Sequence, residues 1–172
     1  MTGQKKAREA LPLTTEEFSE RIVGMIQTLY RVSYSQLAQD CDRDDAVQEC
    51  LYKAWKKRHQ LKDESVMQTW VIRILINECR NIQKKGRQEF PLDELLKRAA
   101  PPDTDFELHD ALFAIDETLR LPIVLHYMEG YSTKEVAHIL RLPHGTVKSR
   151  MSRARNELKK TLNWEVKVLC EA

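Results

Sequence analysis

A chain of 172 residues, 42% hydrophobic and 31% charged, has the balance of an ordinary globular protein and is long enough for one domain or two small ones. No apolar run reaches the roughly eighteen uninterrupted residues of a spanning helix, because Arg73 already breaks Val71 to Ile76, and the polar start Met1 to Ala10 lacks a secretory signal; a cytoplasmic protein without membrane insertion is expected. The net charge of +2 says little by itself, and the information lies in where the charges fall.

Thr15 to Asp40 carries Phe18, Ile22, Met25, Ile26, Leu29, Val32 and Leu37 at spacings of three and four, predicting a helical stripe with a break near Ser33 or Ser35. Asp42 to His59 repeats the period through Ala46, Val47, Cys50, Leu51, Ala54 and Trp55, with Asp42, Asp44 and Asp45 suited to a helix N-terminus. Its end is basic: Lys53, Lys56, Lys57, Arg58 and Lys62 occur without an acid between them. Ser65 to Lys85 follows, with Ser65 as the expected cap, Trp70, Val71, Ile74, Leu75 and Ile82 as the stripe, and Gly86 as the expected stop. From Arg73 to Arg87 five basic residues face only Glu78.

Between Gly86 and Asp105 the period fails at Pro91, Pro101 and Pro102, although Leu92 to Ala100 suits a short helix. From Glu89 to Glu117 nine acids face only Lys97 and Arg98. Helical spacing resumes at Phe106, Leu108, Leu112, Ile115 and Leu119, then over Leu121 to Tyr127, Thr133 to Leu140 and Thr146 to Leu162. The expected architecture is all-α: a tail over 1–14, a helical domain over 15–86, an acidic proline-containing linker over 87–105, a second helical domain over 106–165 and a tail over 166–172. Two small domains joined by a flexible linker, with basic blocks on either side of an acidic connector, suggest two sites on one polyanion.

Ser132, Thr133, Lys134 and Glu135 form an S-x-x-E capping box after the tight-turn residue Gly130. The short helix that follows turns Val136, Ala137, Ile139 and Leu140 inward. Arg141 to Gly145 makes a turn through Pro143 and Gly145. In the next helix Val147, Met151, Ala154 and Leu158 fall in one narrow sector, and Lys148, Ser149, Ser152, Arg153, Asn156 and Lys159 fall opposite. That opposite face holds donors and no carboxylate, whereas a merely solvated helix mixes signs; it suits the second helix of a helix-turn-helix in the major groove of DNA.

With these residues in place a resemblance is plain. YMEGYSTKEVAHIL over 127–140 and LPHGTVKSRMSRARNEL over 142–158 resemble region 4 of the sigma factors of bacterial RNA polymerase. LYRVSY over 29–34, DRDDAVQE over 42–49 running on to Ala54 and Trp55, and WVIRILINECR over 70–80 resemble region 2. The likeness spans roughly residues 16 to 165 and is strongest to the extracytoplasmic function subfamily, which keeps regions 2 and 4 alone. Ala46 stands where that family usually has Leu, and Cys50 where it often has Val; both are packing positions.

The resemblance implies a protein that binds core RNA polymerase and directs promoter-specific initiation, not an enzyme, with no cofactor, metal or small-molecule substrate. Its implied partners are the clamp coiled coil of the largest polymerase subunit and the flap, promoter DNA, and an anti-sigma factor. Docking on the coiled coil would fall to Asp45, Gln48, Glu49, Lys53 and Trp55, although the apolar stripe favours core packing for Trp55. The loop His59 to Ser65 would form a pocket for an unstacked base of the −10 element, followed by Asn77, Arg80, Asn81 and Lys84 on one helix face. At the −35 element the implied contacts are Lys134, Thr146, Lys148, Ser149, Arg150, Ser152, Arg153 and Arg155, with Arg150, Arg155 and Lys134 directed to phosphates. His138 and His144 read as surface residues, and Cys41, Cys50, Cys79 and Cys170, with no CxxC pair, as reduced thiols.

Two other classes compete. A transcription regulator acting on duplex DNA without polymerase would share the reading head but leave the region 2 likeness unexplained. A nuclease or deaminase would need an H-x-E with P-C-x-x-C, a phosphate-cradling glycine loop or a metal cluster, and the sequence has none.

Overall fold

The computed structural model describes residues 14–61, 63–89 and 111–161, and among them every regular element is helical. The expected tails apart from Thr14, most of the linker with its Leu92–Ala100 helix, Phe106, Leu108, Lys62 and Cys170 lie outside the described residues.

Helix α1 (Thr15–Gly24) opens on a capping box encoded by the T-x-x-E at 14–17. The Glu17 amide donates to Thr14 Oγ1 at 3.2 Å, and the Thr14 amide donates to Glu17 Oε2 at 2.9 Å. A turn at Met25 separates α1 from α2 (Ile26–Tyr34), which ends at Ser35. The expected break near Ser35 is therefore present, but the one at Met25 leaves no mark on the periodicity: Phe18, Met25, Leu29 and Val32 are all buried across it, so the stripe runs on.

Helix α3 spans Asp40–Lys57, with Asp40 and Asp42 in its first turn, and passes into a 3-10 turn over Arg58–Gln60. Buried Arg43 pairs with Asp40 and lies over the Tyr34 ring, 4.4 Å from its centroid, so this cation acts inside the domain. Helix α4 spans Met67–Glu89, two residues later at its start and four later at its end than the sequence suggests. Asp63, not Ser65, caps the entrance, accepting from the Ser65 amide at 2.9 Å ahead of a 3-10 turn over Glu64–Val66. Gly86 does not stop the helix: its φ is not left-handed, and an interior glycine costs only about 1 kcal/mol. Val71, Ile72, Leu75, Ile76 and Cys79 of α4 pack with Leu29, Val47, Cys50 and Ala54 to form the first part of the core.

In the second half, residues 111–114 are helical and Asp116 caps α5 (Glu117–Ile123), accepting from the Thr118 amide at 2.8 Å. Interior Pro122 removes a backbone donor, and the helix widens into a π turn over Val124–Met128. Gly130, at φ 75°, then turns the chain into α6 (Thr133–Leu140). Both bonds of the expected capping box are formed, Glu135 amide to Ser132 Oγ at 3.3 Å and Ser132 amide to Glu135 Oε2 at 2.8 Å. The turn after α6 differs from expectation. The left-handed residue is Arg141, at φ 54°, and Gly145 lies within the first turn of α7 (His144–Thr161).

The two halves share one continuous core rather than two separate ones. The carboxylate of Glu129, directly after the π turn, is only 4% exposed and reaches α2. It accepts from Arg31 Nε at 2.5 Å and Nη2 at 3.1 Å, and from Thr28 Oγ1 at 2.7 Å. On the other side of the contact Arg73 of α4 donates to the backbone carbonyl of His138 in the last turn of α6, where a cation is favoured. Glu129→Ala is expected to cost about 1–2 kcal/mol, the usual value of charge-assisted bonds reduced because the Arg31 side chain is 43% exposed. Urea unfolding and the separation of spin labels on α2 and α6 check this; an unchanged midpoint and separation would remove Glu129 from the docking contact.

Candidate nucleic-acid interface

Helix α7 divides as its sequence suggests. Val147, Met151, Ala154 and Leu158 are buried, while Lys148, Ser149, Ser152, Arg153, Asn156 and Lys159 are exposed on the opposite side. Ser149 Oγ donates its proton to the Thr146 carbonyl at 2.9 Å, leaving the hydroxyl's lone pairs outward. His144 Nε2 and Thr133 Oγ1, 2.8 Å apart, tie the first turns of α6 and α7 together. Lys134 is exposed in the first turn of α6, beside the Glu135 carboxyl that Ser132's bonds hold below the usual range.

Arg150, Arg155 and Thr146 are half-buried and stand apart from that exposed set. Arg155 Nη1 donates to Tyr127 Oη at 3.4 Å. Arg150 lies near Asp116, whose carboxyl is held low chiefly by the Thr118 hydroxyl and amide, with Arg120 and Arg150 adding to it.

The residues expected at the polymerase and those expected at the −10 strand meet in one open groove of about 840 Å³ between α3 and α4. Asp45, Gln48 and Glu49 line its α3 wall, and Asn81 and Lys84 its α4 wall, all exposed. Asn77 and Arg80 are exposed on α4 beyond it. Lys53 joins the walls: its ammonium lies 2.7 Å from Glu78 Oε2 and 3.0 Å from Glu49 Oε1, and these bonds raise its pKa above the ordinary lysine value. Its charge is already matched within the chain, which only its spatial partner Glu78, 25 residues away, makes visible.

Trp55 is 41% exposed rather than sunk in the stripe. One edge meets Phe18, centroids 6.2 Å apart, and Arg58 lies 4.4 Å over its ring. Exposed Tyr52 sits similarly under Lys56, at 5.7 Å. The signal for this surface is the run YKAWKKR at 52–58, in which aromatic rings interleave with cations; the count of basic residues alone does not reveal it. Of the loop His59 to Ser65, its last residues contribute to a cavity of about 460 Å³: Glu64 and Ser65 face Arg21 and Met25 of the first helical segment, with Arg21 bridged to Glu64 at 2.7 Å.

Cys50 and Cys79 are fully buried thiols, pushed up to about 12 by burial, whereas Cys41 is exposed. Since the thiolate is the reactive form, a maleimide at pH 8 is expected to label Cys41 within minutes and to spare Cys50 and Cys79 until the chain is unfolded. Peptide mapping reads the result, and equal labelling of all three would contradict the burial.

Residues 25–88 match the family model described as Sigma-70 region 2, and residues 105–158 that described as Sigma-70, region 4. The RNA polymerase sigma-H factor of Pseudomonas aeruginosa is 28% identical over 93% of this chain and 88% of its own length. The ECF RNA polymerase sigma-E factor of Escherichia coli is 27% identical over 90% of this chain and 87% of its own. Among solved structures, the sigma factor RpoE of Bartonella quintana, crystallised with the anti-sigma factor NepR, superposes with a TM-score of 0.76 at 27% identity, covering 88% of this chain and 99% of that one. A chain that is helical throughout its described elements, matches both regions, presents a carboxylate-free exposed face on α7 and aligns nearly end to end with such relatives belongs to the extracytoplasmic function sigma factors, the initiation factors that bind core RNA polymerase and direct it to promoters.

Proposed function

We propose that α7 reads the −35 element through Lys148, Ser149, Ser152 and Arg153, with Lys134 at the N-terminus of α6 on a phosphate. Arg150, Arg155 and Thr146 flank this set as backbone or positioning groups. Asn77, Arg80, Asn81 and Lys84 hold the unstacked non-template strand of the −10 element. Asp45, Gln48 and Glu49 dock on the clamp coiled coil, Lys53 contributes through its ion pairs, and Trp55 is the aromatic edge of that surface. The second domain engages the flap.

The observation that carries this reading is the exposed face of α7, six donor side chains without a carboxylate behind a fully buried stripe. Cations on such a face neutralise phosphates, and forked donors read base edges. Run-off transcription with purified core polymerase on a randomised promoter library tests it; selection at only one of the two promoter elements would overturn the two-part reading.

Glu49→Lys is expected to weaken core polymerase binding about tenfold, because it reverses one charge of a complementary contact, and to lower stability by no more than about 1 kcal/mol, since Glu49 is exposed and its ion pair with Lys53 is a surface one. Unchanged polymerase affinity in a fluorescence titration would remove Glu49 from the docking surface.

Control by an anti-sigma factor belongs to the same proposal. It is supported by the relative crystallised with one and by the exposed apolar side chains Val23, Tyr30, Tyr52 and Val66 on the first domain. Co-purification from the native host tests it, and a free protein active under all conditions would count against it. The site of action is the cytoplasm, where the polymerase works; among the described residues no helix is long and apolar enough to cross a membrane.

A further inference from the structure

Glu78 stands outside the residues proposed to read DNA or dock polymerase, yet it sits between the two sets. It lies on α4 one turn before Asn81 and is 8% exposed. Its Oε2 accepts two hydrogen bonds, from Lys53 Nζ at 2.7 Å and from Asn81 Nδ2 at 3.2 Å. Lys53 is itself held by Glu49 at 3.0 Å.

A nearly buried ion pair is weak evidence of stabilisation, since desolvation offsets much of its attraction. What this pair supplies is direction. An ionised carboxylate only accepts hydrogen bonds, so it can hold a carboxamide by the NH₂ end alone. The carbonyl oxygen of Asn81 is thereby turned away from Glu78. Asn81 is exposed, so its outward edge is an acceptor with one remaining N–H beside it.

An outward acceptor demands a donor on the base. Adenine and cytosine carry exocyclic amines, and guanine carries N1–H and N2–H₂. Every base, thymine with its N3–H beside a carbonyl included, offers a donor next to an acceptor, so what a fixed amide sets is the order in which the two must be met. We infer that Glu78, anchored by Lys53, is a positioning residue that fixes Asn81 acceptor-outward, so that Asn81 meets the −10 base with a set order of acceptor and donor and prefers the base that presents the matching order there. The inference rests on the reading of Asn81 as a promoter contact.

The test uses holoenzyme assembled from the full chain and core polymerase, with single-stranded oligonucleotides of the non-template −10 element carrying each of the four bases at each position. Wild type is expected to prefer one base over the others at one position by at least about fivefold, the lower end for a good side-chain–base pair. Asn81→Ala removes that preference. Glu78→Gln, whose amide can accept as well as donate and so holds Asn81 either way round, brings the ratio toward one at the same position and leaves the other positions unchanged. Glu78→Met removes the acceptor altogether, leaves Lys53 paired with Glu49, and gives the same loss.

Wild-type ratios in both Glu78 variants, with Asn81→Ala losing its preference, would overturn the positioning role and leave the Asn81 contact standing. A uniform fall at every position would likewise reduce Glu78 to a structural residue. Wild-type ratios in Asn81→Ala would overturn the promoter reading of Asn81 and the inference with it.

Discussion

Leu75→Ala is expected to lower the stability of the first domain by about 2–5 kcal/mol, the range for truncating a fully buried leucine. Leu75 has no exposed surface and lies mid-helix between Val71, Ile72 and Cys79, which are equally buried. The lost side-chain carbons leave a void where α4 packs on α2 and α3, and a close-packed interior does not collapse to fill it. The functional consequence follows from the helix affected. Helix α4 carries Asn77, Arg80, Asn81 and Lys84 on its exposed side, so loosening its buried side blurs the face proposed for the −10 strand. Urea unfolding reads the first effect as a fall in midpoint of roughly 1–2 M at ordinary slopes. Abortive initiation at 37 °C against 20 °C reads the second, with the larger deficit at the higher temperature. A midpoint within about 0.2 M of wild type would mean the core re-forms around the smaller side chain.

Arg153→Ala is expected to cost about 1–3 kcal/mol in binding to the preferred −35 sequence and almost nothing on a scrambled one. Arg153 is exposed on α7 among Lys148, Ser149 and Ser152, and its guanidinium fork matches the paired acceptors of a guanine edge. A phosphate contact behaves differently: it weakens every sequence alike and lowers the salt dependence by about one unit of slope. Holoenzyme binding to matched and scrambled duplexes at two salt concentrations separates the two roles, and equal losses on both duplexes would refute base reading by Arg153. Arg155→Ala is the informative companion: Arg155 donates to Tyr127 Oη, and the phosphate role proposed for it predicts equal losses on both duplexes.

Features that depend on neighbours in the chain are legible in the amino-acid sequence. The box at Ser132 and Glu135 is closed by residues three apart, and α6 begins and ends where the sequence places it. The buried stripe of α7 follows from helical geometry alone. Even so, a short-range signal can be masked: the box at Thr14 and Glu17 stands just ahead of a strong apolar stripe that dominates the local pattern. Gly86 is a false stop because glycine permits a helix end without requiring one. Trp55 departs from its expected burial because a wide stripe has an edge, where a large ring is covered on one side and open on the other.

By itself the amino-acid sequence determined the helical character of the described residues, a helix-turn-helix with a carboxylate-free exposed face, and the kinship of both halves, because period, caps and motif spacing are properties of residues a few positions apart. Only the tertiary structure decided that the halves share a core, that Glu129 docks on Arg31 and Thr28, and that Lys53 is spoken for by Glu78. Those partners lie 25 to about 100 residues apart. No local preference encodes such a pairing: a charged side chain's partner is whichever group the packing of helices brings within about 3 Å, and that is a property of the folded chain as a whole.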